Sequence, residues 1–166
     1  MSPMIVFDTD ILSMFAKIDA VDLLKLLFGD KAVMTPKIRD EISAPIEYGY
    51  TFPLKVLTTI KTVPLNEQAL EEYGRLQENL NLGRGELEAI AYCKATKCVF
   101  ATNDIKAREF AKSEGVPVIS LQAILKAFWR KGIKSKEEVR QMLERIRETD
   151  NLVVSREVER GIFEMD

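Results

Sequence analysis

The sequence predicts an α/β fold in which helices cover a parallel sheet, and three observations carry that prediction. Short apolar runs alternate with stretches of helical periodicity, the element order that builds a parallel sheet. With 166 residues and 46% hydrophobic content, the chain suits a single globular domain large enough to bury such a sheet. Two of the apolar runs end in acids, Phe7-Asp-Thr-Asp10 and Ala101-Thr-Asn-Asp104. In an open parallel sheet, the crevice beyond the carboxyl ends of the strands is where ligands bind.

The candidate strands are 4 to 8, 32 to 34, 60 to 63, 98 to 102 and 116 to 119. The first is a short apolar run closed by Asp8, and Asp10 stands where the N-cap of the next helix is expected. Capping accounts for Asp10 but gives no reason for Asp8. After the second strand, Thr35-Pro36 opens a helix with proline at its first position; Ile38 and Ile42 define its buried side, and Glu41 borders it. Residues 44 to 59 carry Pro45, Gly49 and Pro53 among Tyr48, Tyr50 and Phe52, which predicts an irregular connection. Its rings are expected to pack on the body of the protein or on a partner chain, with stacking on nucleobases as the alternative.

Asn66 caps a helix in which Ala69, Tyr73, Leu76 and Leu80 repeat at helical spacing. Gly83-Arg-Gly-Glu86 opens the next one. Glu86 lies four residues before Ile90 and seven before Cys93, on the buried face, whereas Glu88 is rotated about 200 degrees away. The strand at 98 to 102 leads to Asn103 or Asp104 as the cap of another helix, which Gly115 ends. Ser120 caps a helix with Leu121, Ile124, Leu125 and Phe128 inward, and Gly132 closes it. Ser135 with Glu138 makes a capping box before Val139, Met142, Leu143 and Ile146. Beyond Asn151, Ser155 is a further cap, and Val158, Ile162 and Met165 form a narrow stripe expected to dock.

The chain contains no histidine. That excludes Ser-His-Asp and Cys-His catalysis, histidine general bases and histidine-ligated zinc. Carboxylate or lysine chemistry is left, and oxygen-only ligand sets favour magnesium or manganese over zinc or copper. Cys93 and Cys98 are spaced for neither a zinc site nor a disulfide framework and read as buried thiols. No run approaches the ~18 to 20 apolar residues of a membrane span. Met1-Ser2-Pro3 enters the first strand without the basic and apolar regions of a leader, so a cytoplasmic protein with no membrane partner is expected. The net charge of -2 argues against a generally basic nucleic-acid coat.

Asp8, Glu41, Glu86 and Asp104 are the candidate catalytic acids. Four carboxylates in one cleft repel one another and raise their pKa values unless cations neutralise them. The economical answer is one or two Mg2+ or Mn2+ ions held by Asp8, Glu86 and Asp104, with Asp10 as a secondary ligand. Such a site suits hydrolysis of a phosphodiester by metal-activated water. Arg39 and Arg84 stand beside proposed ligands, and basic residues outnumber acidic ones between Ile105 and Lys134. Arg39, Arg84, Lys106 and Arg108 are therefore candidate substrate-binding residues, with a solvated helix face as the bland alternative.

Taken together and in this order, the motifs resemble a PIN domain. They are Ile5-Val-Phe-Asp-Thr-Asp-Ile-Leu12, Thr35-Pro-Lys-Ile-Arg-Asp-Glu-Ile42, Gly85-Glu-Leu-Glu-Ala-Ile-Ala91 and Ala101-Thr-Asn-Asp104, spanning roughly residues 4 to 134. The resemblance implies an α/β/α sandwich around a five-stranded parallel sheet in order 3-2-1-4-5. It also implies a metal-dependent ribonuclease acting on RNA, usually a homodimer, and by family analogy an antitoxin partner. The expected organisation is a PIN-like nuclease domain at 1–134 and a C-terminal helical extension at 135–166, packed on the same domain or on a partner chain. Two other readings stay open. One is a haloacid-dehalogenase-type phosphatase with Asp8 as nucleophile and Asp10 as its acid/base. The other is a PIN-fold protein that binds RNA or a partner without cutting.

Overall fold

The computed structural model describes residues 3–165, so Met1, Ser2 and the expectation placed on them lie outside the described residues. Five short strands, β1 (Ile5–Phe7), β2 (Ala32–Met34), β3 (Lys61–Thr62), β4 (Val99–Ala101) and β5 (Val118–Ile119), form a parallel sheet in order β3-β2-β1-β4-β5. Val6, Phe7, Val33, Met34, Phe100 and Ala101 are fully buried, as befits strands covered on both faces. β1 is the central strand, with Ile5 opposite Ala32 on one side and Val99 on the other. Strand order reverses there, so the carboxyl ends of β1 and β4 form a switch-point crevice. Asp8 and Thr102 are the first residues beyond those two strands.

The helices are α1 (Thr9–Lys17), α2 (Val21–Phe28), α3 (Pro36–Ser43), α4 (Pro53–Thr59), α5 (Glu67–Leu76), α6 (Arg84–Thr96), α7 (Ile105–Ser113), α8 (Leu121–Arg130), α9 (Lys136–Asp150) and α10 (Arg156–Phe163). Their ends follow the capping signals. Asn66 Oδ1 accepts from Ala69 N at 2.8 Å, and Ser135 and Glu138 bond reciprocally at 3.1 and 3.0 Å. Gly115 and Gly132 adopt the left-handed conformation at φ +79 and +73, where a side chain would be strained. Phe15 of α1 meets Phe128 of α8 edge-on at 5.9 Å in the core.

The two C-terminal helices pack on α1 and α8. Arg145 donates to the Ile18 carbonyl at the end of α1, Lys17 pairs with Asp150 at 2.6 Å, and Trp129 Nε1 donates to the Ile162 carbonyl at 2.8 Å. The docking stripe differs from the predicted one: Ile162 and Phe163 are buried, whereas Val158 and Met165 are exposed. α10 ends at Phe163, so Met165 falls off the helical period.

Residues 44 to 59 are more regular than predicted. A 3-10 turn at Ala44–Tyr48 ends on Gly49 at φ +89, and Pro53 starts α4 rather than breaking it, because proline suits the first helical position. Tyr48 and Tyr50 stand in solvent, 81% and 59% exposed, so of the three rings only Phe52 packs on the body. The Lys17 ammonium lies 5.4 Å from its centroid. Leu80 is exposed, contrary to the periodic reading, because α5 stops at Leu76 and an Asn79–Asn81 turn follows. Cys93 and Cys98 are free and buried. Among the described residues no helix is long and apolar enough to cross a membrane.

Candidate functional site

Asp8 lies in the crevice at the end of β1 and is 3% exposed. It, and not Asp10, is the N-cap of α1: its Oδ1 accepts from Thr9 N at 2.8 Å. The strand ends one residue earlier than the sequence suggests, which moves the cap back to Asp8 and puts Asp10 in the first turn, exposed. The Thr102 hydroxyl donates to the other Asp8 oxygen at 2.7 Å. Burial pushes the Asp8 carboxyl up to about 7, with Glu86 and Asp10 adding repulsion against the lowering effect of the Thr102 and Thr9 bonds.

Asp104 caps α7, accepting from Ala107 N at 3.1 Å, which decides between Asn103 and Asp104. The Thr102 hydroxyl accepts from Asp104 N at 3.1 Å, so one buried oxygen ties the Asp8 carboxylate to the Asp104 backbone. Glu86, in the first turn of α6, accepts from Gly83 N at 3.1 Å. It is half-buried, and burial followed by repulsion from Asp104, Asp10 and Glu41 raises its pKa against the Gly83 bond. Glu41 is exposed on α3 and accepts from the Thr9 hydroxyl at 2.6 Å. A Cβ on Gly85 would collide with that Glu41 carboxylate. The rotation separating Glu88 from Glu86 does not send it to solvent. Glu88 is buried and accepts from Lys37 N at 2.8 Å, because α6 is covered on nearly all sides and this face meets the start of α3.

Three helix N-termini therefore meet at the carboxyl edge of β1 and β4, each with an acid on its own backbone: Asp8 on α1, Glu86 on α6 and Asp104 on α7. Positive helix ends favour negative charge, so every acid has a local structural reason. Burial first, and then repulsion from neighbouring acids, nevertheless raises the carboxyls of Asp8 and Glu86 above the usual range. The charges acting on Asp8 and Glu86 are acidic. Asp10, though exposed, is likewise raised, by partial desolvation from the surrounding protein and then by Asp104 and Asp150, with only Lys17 opposing.

As the side chains lie, no three acidic or cysteine groups among the described residues converge closely enough to ligate one ion. The set nevertheless fits a divalent cation by charge and by donor chemistry. It holds a buried carboxylate with pKa near 7, surrounded by other carboxylates and supplied only with hard oxygen donors. The cap bonds of Glu86 and Asp104 account for their present orientation.

Arg39 and Lys106 are exposed, Arg84 opens α6, and Arg108 is half-buried on α7. None of the four is bound to a carboxylate among the described residues. Arg75 and Lys94, by contrast, are engaged by Glu72 and Glu114. Sequence reasoning missed Thr9, Gly85, Thr102 and Asp150. The first three lie inside the quoted motifs, between or beside the acids. Asp150 had no signal, since only the packing of α9 on α1 brings it near Asp10.

A family model described as a PIN domain matches residues 4–164. The match continues through α9 and α10, beyond position 134 where the motif resemblance stops. No curated protein matches the sequence. Among solved structures the chain is similar to one described as VapBC2 from Rickettsia felis bound to a DNA fragment from their promoter. The identity is 18%, with a TM-score of 0.52 over 70% of this chain and 98% of that one.

Proposed function

Since the chain belongs to the PIN domain family, we propose that it is a divalent-metal-dependent ribonuclease working at the crevice of Asp8, Glu41, Glu86 and Asp104. The observation that carries this reading is the buried Asp8 carboxyl, pushed up to about 7 at the end of the central strand with other acids around it. Asp8, Glu86 and Asp104 would hold Mg2+ or Mn2+, with Asp10 as a secondary ligand. Such an ion, when bound, polarises a phosphodiester and activates water. The protein's own part is positioning: Thr102 fixes one Asp8 oxygen, and Thr9 holds Glu41 in the crevice. Arg39, Arg84, Lys106 and Arg108 supply phosphate contacts on a chain that is otherwise slightly acidic.

Partners follow from the same reading. By analogy with the PIN domain family, an antitoxin protein and a second copy of this chain are proposed alongside the RNA substrate, in the cytoplasm. Residues 135–166 are proposed to extend the nuclease domain of 1–134 by packing on α1 and α8. The phosphatase alternative gives Glu41 and Glu86 no part and belongs to another family.

The test is cleavage of a panel of single-stranded and structured RNAs by the full chain in Mn2+ or Mg2+. Cleavage is expected to stop with a chelator and in Asp8→Asn, whose circular dichroism stays native. RNA binding without cleavage by the wild type would favour the non-catalytic reading, and cleavage surviving Asp8→Asn would refute the site.

A further inference from the structure

A pocket of about 440 Å³ is lined by Asn79, Asn81, Leu82, Lys106, Glu109 and Phe110. Its two walls come from the segments that enter the crevice. Leu82 precedes Gly83, whose N–H holds Glu86, and Lys106 follows Asp104 by two residues along α7. The volume lies within the range of roughly 300 to 1,000 Å³ typical of small-ligand sites.

We propose that this pocket is a guanine-binding subsite for a single-stranded RNA held in the neighbouring crevice, an inference that rests on the ribonuclease reading. Phe110 packs against the core and contributes a ring to the pocket wall, the kind of platform on which an unstacked base rests. Glu109 is exposed and engages no cation among the described residues. An ionised carboxylate only accepts hydrogen bonds. Guanine alone offers it two adjacent donors, N1–H and the N2 amino group. Adenine and cytosine set an acceptor ring nitrogen beside their single amino group, and uracil flanks its one N–H with two carbonyls, so Glu109 opposes all three. Asn79 Oδ1 already accepts from Asn81 N at 2.8 Å, which leaves the Asn79 amino group to donate, as the O6 and N7 acceptors of guanine require. Lys106 engages no carboxylate among the described residues and stands in the first turn of the helix that Asp104 caps, where it suits the phosphate joining this nucleotide to the next.

The experiment titrates full-length Asp8→Asn protein by fluorescence anisotropy with four short oligouridine-background RNAs that differ in one base. The guanine oligonucleotide is expected to bind about tenfold more tightly than the other three, the discrimination of one bidentate base contact. In Glu109→Gln on the same background the preference collapses, because one acceptor becomes a donor at an exposed position that does not carry the fold. Equal or absent binding of all four, or a preference that survives Glu109→Gln, overturns the subsite. Cleavage of the same RNAs by wild type in Mn2+ separates the two readings. Cleavage without guanine preference removes the subsite alone, whereas guanine preference without cleavage supports the subsite and counts against the nuclease.

Discussion

Asp8 is both the cap of a helix and the most buried acid of the site, and the two roles differ in what they ask of its charge. Its carboxyl ionises near 3.8 in the unfolded chain and near 7 in the folded one, so the folded state binds the proton more tightly. The contribution of Asp8 to metal-free stability is thus fullest below about pH 4 and is lost as pH rises through 7. At about 1.4 kcal/mol per pH unit the loss from this group is of the order of 4 kcal/mol. Asp8→Asn removes the ionisation while its amide can still serve Thr9 and Thr102. In a chelator at pH 8, the variant should melt several degrees above wild type, with the gap closing toward pH 4. A wild type that becomes more stable between pH 5 and 8 would contradict this. Divalent metal should restore the wild type and leave the variant unmoved. Thr102 belongs to the same scale: its single hydroxyl serves two of the acids, and as a threonine it drew no attention among carboxylates.

At the level of elements, the site is a meeting of helix starts. α1, α6 and α7 each begin at the carboxyl edge of the sheet with an acid on their own N–H groups, and α3 adds Glu41 from the side. Gly85 is the element-scale requirement, since only a residue without Cβ lets α6 lie against the Glu41 carboxylate. Gly85→Ala should leave thermal stability unchanged or raise it by up to about 1 kcal/mol, alanine being the better helix former. The new methyl group expels Glu41 from its place at Thr9, so RNA cleavage should fall by about tenfold or more. Wild-type activity in this variant, measured beside its melting temperature, would put Glu41 outside the machinery. Glu88 shows the limit of helical arithmetic: the rotation was right, but the face it points to is covered by α3.

For the molecule as a whole, the question is whether the last two helices are an appendage. They bury Val139, Met142, Leu143, Ile146, Ile162 and Phe163, and Arg145 caps the far end of the helix that begins at the site. Each such side chain contributes about 1.5 to 3 kcal/mol. Six of them weigh as much as the roughly 5 to 15 kcal/mol by which a domain is stable. The full chain should therefore unfold in urea as one cooperative transition, and a chain ending at Lys134 should aggregate or lose that transition. A truncated chain with native melting and cleavage would make the helices dispensable.

The five strands, the caps at Asn66, Ser120, Ser135 and Ser155, the glycine stops and the inward faces of α8 and α9 were legible because each depends on residues within a few positions of one another. As candidates, Asp8 and Asp104 stood out for the same reason, as polar ends of apolar runs, and Glu41 and Glu86 by their spacing from buried positions on α3 and α6. The sequence by itself thus determined the elements, their order and the presence of an acid at each switch-point end. What only the tertiary structure decided are relations between distant positions: Thr102 bonded to Asp8, Thr9 to Glu41, Gly85 pressed on Glu41, Glu88 serving α3, and Asp150 brought to Asp10. No periodicity encodes these, because they arise from how helices pack across the sheet. The shift of the cap from Asp10 to Asp8 is a smaller case of the same kind, since where β1 ends depends on its pairing with β2 and β4.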